Sequence, residues 1–152
     1  MEAFLFHLPS ILLLTAIFLS VFLTGVGSAR GALMIGKAAA ALISEQPEKF
    51  GPSLVLQMMS ASQGLYGFII GFLMFFKLGD GLTMEVAVQC LGAGCIMGIT
   101  GILTALLQSQ MATAGIQILA KQPEHSTKGV LYSAMIETYA IFAFVISMLL
   151  VI

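Results

Sequence analysis

Charged residues are distributed very unevenly along this chain of 152 residues. None lies in 3–29, 50–76 or 86–120, and 129–152 contains one, Glu137. A membrane core of about 30 Å is crossed by roughly 20 apolar residues in a helix, so each interval is long enough for one crossing. The pattern predicts an all-α membrane protein with four transmembrane helices.

Short polar segments mark where the predicted helices end. Two of them contain Gln-Pro-Glu, at 46–48 and 122–124, and a third lies at 77–81. Clusters of proline, glycine and polar residues are typical of loops. The predicted helices therefore run over about 10–44, 53–76, 86–120 and 127–151.

The second half of the chain repeats the first. Shifting the sequence by 76 residues superposes the Gln-Pro-Glu segments and several other identities, such as Met59 on Met135 and Phe68 on Phe144. This indicates an internal duplication, with tandem helical hairpins at 1–76 and 77–152. Each hairpin pairs a long helix of small residues with a shorter helix of bulky ones. Because small residues let helices pack closely, we expect the long helices inside a closed ring of identical subunits.

Composition narrows the possible functions. Hydrophobic residues make up 59% of the chain and charged residues 9%, with a net charge of −1. A soluble domain of this composition could not cover its surface. There is no basic footprint for nucleic acid and no glycine-rich phosphate loop, so we expect neither nucleic-acid binding nor nucleotide chemistry.

Basic residues indicate the orientation in the membrane. Lys77 lies alone at one side, whereas the other five lysines and arginines lie toward the Gln-Pro-Glu loops: Arg30, Lys37, Lys49, Lys121 and Lys128. Since cytoplasmic loops carry an excess of lysine and arginine, these loops are predicted to be cytoplasmic and both termini to face outward in a cell membrane.

Glu137 is the candidate functional residue, because it lies about ten residues into the last predicted span. An ionised carboxylate near mid-membrane costs at least roughly 3 kcal/mol. One explanation is a protonated acid that is hydrogen-bonded to a neighbouring helix. The other, which intramembrane ionisable groups favour by default, is an ion or proton site.

Polar partners for this carboxylate lie on two other predicted helices. Met59, Ser62, Gln63 and Tyr66 share one helical stripe, and Gln108 lies on the third helix. Glutamines in membranes also serve as ordinary interhelical hydrogen-bonding groups. Together with Glu137, however, amide and hydroxyl oxygens form a set of hard ligands that suits a small cation. Tyr66 either donates its hydroxyl to Glu137 or faces lipid.

Together with several longer segments, these residues resemble those of a known protein family, and the resemblance covers essentially the whole chain. The sequence resembles the duplicated proteolipid, the c-type or K-type rotor ring subunit of V-type ATPases, especially the bacterial sodium-translocating form. Its most specific segments are GVGSA at 25–29, QGLYGF at 63–68, AGIQILAKQPEH at 114–125 and ETYAI at 137–141.

The resemblance implies a non-catalytic, ion-translocating subunit without a cofactor. A ring of identical subunits, surrounded by membrane lipids, would be turned through a central-stalk subunit by a soluble ATPase head. A stator subunit with an essential arginine would load each ion.

The same resemblance implies roles for individual residues. The family's ion-binding glutamate falls on Glu137, and the other sodium ligands fall on the Met59 backbone carbonyl, Ser62, Gln63 and Gln108. Tyr66 would bond the glutamate. Ser62 replaces the usual threonine and Met59 the usual leucine, although the serine keeps a hydroxyl and the backbone ligand tolerates another side chain.

Three alternatives remain open at this point. The same rotor could carry protons, with the polar groups hydrogen-bonding the carboxyl group. A small multidrug exporter with four helices and one glutamate is disfavoured, because that type has its carboxylate in the first helix and no tandem repeat. A purely structural pore-forming protein would have no use for a buried carboxylate among oxygen ligands.

Overall fold

The structure, a computed structural model, describes residues 2–79 and 81–152, with side chains from His7 onward. This part of the chain contains helices and no strand, so the predicted all-α class is confirmed. The helices are α1 (Glu2–Phe18), α2 (Thr24–Glu45), α3 (Phe50–Met58), α4 (Ser62–Phe75), α5 (Met84–Lys121) and α6 (Ser126–Val151). A π-helical segment, Leu19–Leu23, joins α1 to α2, and a 3-10 turn, Met59–Ala61, joins α3 to α4.

Four segments of the described chain are long and apolar enough to cross a membrane. We name them span 1 (His7–Glu45), span 2 (Pro47–Phe75), span 3 (Met84–Lys121) and span 4 (Pro123–Val151). A stretch of 18 residues within each span has a mean hydropathy of 2.2, 1.4, 2.0 and 2.1, respectively. Aromatic side chains such as Phe72 and Phe142 are exposed on spans 2 and 4, as expected of surfaces that face an apolar solvent.

The helix ends lie within three residues of the predicted positions except at the first boundary, and two of the predicted helices are interrupted, at Leu19–Leu23 and at Met59–Ala61. The first helix begins at Glu2, not near residue 10. Pro9 lies inside α1. A proline removes one backbone hydrogen bond, and here the apolar residues around it continue the helix.

The two Gln-Pro-Glu segments adopt the same backbone conformation. Gln46 has φ −135° and ψ 72°, and Gln122 has φ −142° and ψ 73°. A residue before proline is disfavoured in the α region, which explains why α2 and α5 end here. A 3-10 turn follows each glutamine, Pro47–Lys49 and Pro123–His125, and leads into the next helix.

The two hairpins are tied together at this end. Lys49 donates from Nζ to the Ala120 carbonyl over 2.9 Å. The acceptor belongs to the last turn of α5, where backbone carbonyls lack helical partners and attract cations. At the opposite end the chain turns between spans 2 and 3 at Gly79 (φ 150°) and Gly81 (φ 112°), conformations that favour glycine.

The interior has an apolar cluster at each end. The cluster nearer the termini comprises Leu13, Ala16, Ile70, Met74, Cys90, Ala93, Met97 and Val151. The cluster nearer the Gln-Pro-Glu loops comprises Ile35, Ala39, Leu42, Leu56, Ala112, Ile116 and Leu119. Along spans 1 to 3, the residues between the two clusters include buried polar side chains: Ser20, Thr24, Ser28, Ser60, Gln63, Thr104, Gln108 and Ser109. A polar layer therefore crosses the middle of the bundle.

Close packing of span 3 against span 1 depends on glycines. A Cβ atom on Gly94 would lie 2.5 Å from the Ala16 carbonyl oxygen and 2.9 Å from the Ala16 Cα. Another on Gly98 would lie 2.5 Å from the Leu19 carbonyl oxygen. These neighbours are backbone atoms, which cannot rotate away, so the two helices can approach this closely only at small residues.

We therefore expect Gly94→Ala to push α5 away from α1. Overpacking of this kind costs about 1–3 kcal/mol, which unfolding of the purified protein in detergent would detect. The matched control is Gly92→Ala, because a Cβ at that position meets nothing within 4 Å in the chain. Equal stability of the two variants would contradict this account of the packing.

Candidate functional site

Glu137 lies near the middle of α6, and its carboxylate accepts hydrogen bonds from two other spans. Tyr66 of span 2 donates its hydroxyl to Oε1 over 2.8 Å. Gln108 of span 3 donates from Nε2 to Oε2 over 3.5 Å, at the long limit for a hydrogen bond. The Tyr66 ring is held against Phe144 of span 4, with ring centroids 5.1 Å apart. Hydrogen-bond donors from inside the bundle therefore contact both oxygens of the carboxylate.

The hydrogen bonds continue from Gln108 into span 2. Gln63 donates from Nε2 to Gln108 Oε1, and both glutamines are fully buried. The Ser62 hydroxyl lies 3.4 Å from Gln63 Oε1 and 3.3 Å from the Met59 carbonyl oxygen. The structure thus connects all six residues singled out in the sequence: Met59, Ser62, Gln63, Tyr66, Gln108 and Glu137.

Local backbone structure determines how span 2 presents these groups. The Met59 carbonyl belongs to the 3-10 turn, while Ser62 and Gln63 begin α4. In a 3-10 turn the backbone bonds run to the third residue instead of the fourth, which redirects the carbonyls relative to an α-helix. The turn therefore brings a backbone oxygen toward the side chains that follow it.

Two serines that support the site were not found from the sequence. Ser133 of span 4 donates to the Gln108 carbonyl oxygen over 3.3 Å, and Ser28 of span 1 accepts from the Gly64 backbone N–H over 2.8 Å. Both residues are buried. A small polar residue inside an apolar span was the available signal, but the sequence does not show which backbone group approaches it.

The donor set suits a hard cation. It offers carboxylate, amide, hydroxyl and backbone oxygens, which bind small cations by replacing their hydration shell. Among the described residues there is no group of three His, Cys, Asp or Glu side chains placed to hold a metal ion. The oxygens of this layer are chemically suited to bind a small cation or a proton at one carboxylate.

In a comparison with known protein families, one family model matches two separate parts of this chain. The family model, which describes the C subunit of ATP synthase, matches residues 15–74 and again residues 91–150. The two matched ranges begin 76 residues apart, which is the offset of the internal repeat.

Three relatives illustrate the range of similarity. The K subunit of the V-type sodium ATPase of Enterococcus hirae is 53% identical over 128 residues, which cover 84% of this chain and 82% of that protein. The K subunit of the A-type ATP synthase of Methanocaldococcus jannaschii is 33% identical over 134 residues, which cover 88% of this chain and 59% of that protein. The 16 kDa proteolipid of the V-type proton ATPase of Rattus norvegicus is 24% identical over 127 residues, covering 84% and 82% of the two chains.

The two family matches, the close relative and the four apolar spans agree with the resemblance found in the sequence. The alternatives of an exporter and a structural pore are thereby set aside. The chain is a multi-pass membrane protein and belongs to the family of the ATP synthase C subunit, as a duplicated member of the V-type proteolipid kind.

Proposed function

We propose that this chain binds one Na⁺ at Glu137 and carries it across the membrane as a subunit of a rotating ring. The observation that carries the proposal is the continuous set of polar contacts from Ser62 through Gln63 and Gln108 to Glu137. A carboxylate that carried only a proton would need fewer oxygen partners. The sodium ligands would be the oxygens of Ser62, Gln63, Gln108 and Glu137 and the Met59 carbonyl.

The proposal extends to the assembly. Identical subunits would form a closed ring from the tandem hairpins 1–76 and 77–152, which a central-stalk subunit turns while ATP is hydrolysed in a soluble head. A stator subunit would supply an arginine that displaces the ion from Glu137. The chain itself would be an ion-translocating subunit with no catalytic site and no cofactor.

The Gln-Pro-Glu loops would lie in the cytoplasm, with both termini on the outer side. The supporting observation is the excess of basic residues toward these loops, including Lys49, Lys121 and Lys128. We expect a cysteine introduced at Glu48 to react with an impermeant maleimide only in inside-out vesicles. A cysteine introduced at Lys77 should react only in right-side-out vesicles, and the reverse pattern would invert the orientation.

We expect Glu137→Gln to abolish ion translocation by the assembled ATPase while the ring still forms. The amide keeps the size and polarity of the side chain but cannot exchange a cation or a proton. ATP-driven ²²Na⁺ uptake into vesicles measures the loss.

Glu85→Gln is the matched control for this substitution. Glu85 lies in the first turn of α5, outside the polar layer, and its side chain is exposed. The control should transport normally. Normal transport by the Glu137 variant would rule out the assigned role.

A hydrophobic carbodiimide gives a direct test of the cargo. The reagent modifies a protonated carboxyl group in an apolar phase, so it should label Glu137 in the isolated ring. Sodium should protect this residue, and the protection should weaken as the pH falls, because cation and proton compete for one carboxylate. If sodium does not change the labelling at any pH from acidic to alkaline, the sodium assignment is wrong, and the proposed cargo becomes the proton.

The ligand set is tested in the same assay. Gln63→Ala removes a buried oxygen, and a bond to a charged group is worth about 1.5–3 kcal/mol. We expect the sodium concentration for half-protection to rise about tenfold or more while labelling persists. Unchanged protection would remove Gln63 from the proposed ligands.

A further inference from the structure

Span 2 restarts as a helix next to the ion site without a cap of its own. Its backbone hydrogen bonding changes from the α to the 3-10 pattern at Met59–Ala61, and α4 begins at Ser62. The first N–H groups of a helix lack helical acceptors and are commonly satisfied by the side chain of the N-cap residue. Here the N-cap residue is Ala61, which makes no side-chain hydrogen bond.

The missing acceptor comes from span 1. The Gly64 N–H donates to Ser28 Oγ over 2.8 Å. Gly64 is the third residue of α4, the position that an N-cap side chain usually reaches. A Cβ atom on Gly64 would lie 3.1 Å from Ser28 Oγ and 3.2 Å from Ser28 Cβ, so glycine makes this close contact possible.

We propose that Ser28 is a positioning residue for the ion site. By capping α4 from the neighbouring span, it fixes the backbone next to Gln63 and the direction in which Ser62 and the Met59 carbonyl point. The hydrogen bond of Ser28 is to the Gly64 backbone and not to a proposed ligand atom, so its effect would pass through the first turn of α4. The inference rests on the proposed sodium function.

The second hairpin supports a specific role for Ser28. Its equivalent at the repeat offset is Thr104, whose hydroxyl donates to the Thr100 carbonyl over 2.8 Å and to the Gly101 carbonyl over 3.3 Å, both in its own helix. The helix beside it, α6, runs unbroken over Ser126–Val151. The cross-span cap therefore accompanies the broken helix and is not a general feature of the hairpin.

The test is Ser28→Ala in the intact ring, with sodium protection of Glu137 from carbodiimide as the readout. Loss of a neutral hydrogen bond should raise the sodium concentration for half-protection about threefold to tenfold. The labelling rate without sodium should stay within about twofold of wild type, because a proton binds Glu137 without the proposed sodium ligands of span 2, which are the Met59 carbonyl, Ser62 and Gln63. A general loss of structure would change both quantities and ring assembly as well.

The matched control is Ser60→Ala. Among the described side chains, the Ser60 hydroxyl is buried without a hydrogen-bond partner, and it lies in the same 3-10 turn. Removing it changes the volume of the turn but breaks no hydrogen bond, so the sodium dependence should stay at the wild-type value. If Ser28→Ala fails to assemble, Ser28→Cys keeps the size and offers only a weak acceptor, and it should shift the sodium dependence in the same direction.

Three results would overturn the role of Ser28. The first is a Ser28→Ala ring with the sodium dependence of the wild type. The second is an equal shift of the half-protecting sodium concentration in Ser28→Ala and Ser60→Ala. The third is a failure of both Ser28→Ala and Ser28→Cys to assemble. If sodium fails to protect the wild-type ring, the proposed function fails and this inference fails with it. Protection of the wild type together with an unshifted Ser28→Ala overturns the inference alone.

Discussion

An ionisable group near the middle of a membrane span must find its polar partners inside the protein, since hydrocarbon offers none. Glu137 meets this requirement with groups from two other spans, the Tyr66 hydroxyl and the Gln108 amide. Gln108 is held in turn by Gln63 through its side chain and by Ser133 through its backbone. Three spans must therefore converge at one depth, and the rest of the architecture makes that convergence possible.

Convergence requires both close helix approach and exclusion of lipid. Glycines such as Gly94 and Gly98 bring span 3 against the backbone of span 1, and the apolar clusters fill the two ends of the bundle. The polar layer lies between these clusters, where side-chain hydrogen bonds form in a medium of low dielectric constant. A polar network whose groups are all paired is rigid in such a place, whereas an unpaired buried group costs free energy. Among the described side chains of this layer, the Ser60 hydroxyl is such an unpaired group. The small-residue faces and the polar layer thus depend on each other.

The sequence predicts the helices and most of the candidate site for identifiable reasons. Charge-free intervals determine the spans, and the helical period places Met59, Ser62, Gln63 and Tyr66 on one stripe. The sequence does not predict the interruptions of the helices inside the spans. The π-helical segment Leu19–Leu23 has the sequence LSVFL, and no proline, glycine or charged residue in it signals the change of helix type.

The interruptions depend on contacts between spans, which local pattern does not encode. Ser20, within the π-helical segment, donates to the Gly67 carbonyl over 2.9 Å. Ser28 accepts from Gly64 beyond the 3-10 turn. Each contact joins residues that are far apart in sequence, so each becomes apparent only after the spans are placed. The sequence shows the polar residues themselves but does not show which backbone groups they bind.

The two repeats differ at the proposed site, and only the second carries the carboxylate. At the repeat offset Glu137 corresponds to Ala61, and the broken stretch Met59–Ala61 corresponds to an unbroken part of α6. The first hairpin has the helix break, with its redirected carbonyl and the hydroxyl and amide that follow, while the second has the carboxylate on a continuous helix. A carboxylate on a regular helix gains no backbone oxygen from its own span, because those carbonyls already accept helical hydrogen bonds. The two halves of the proposed site are therefore complementary, and the divergence of the hairpins has made each incomplete without the other.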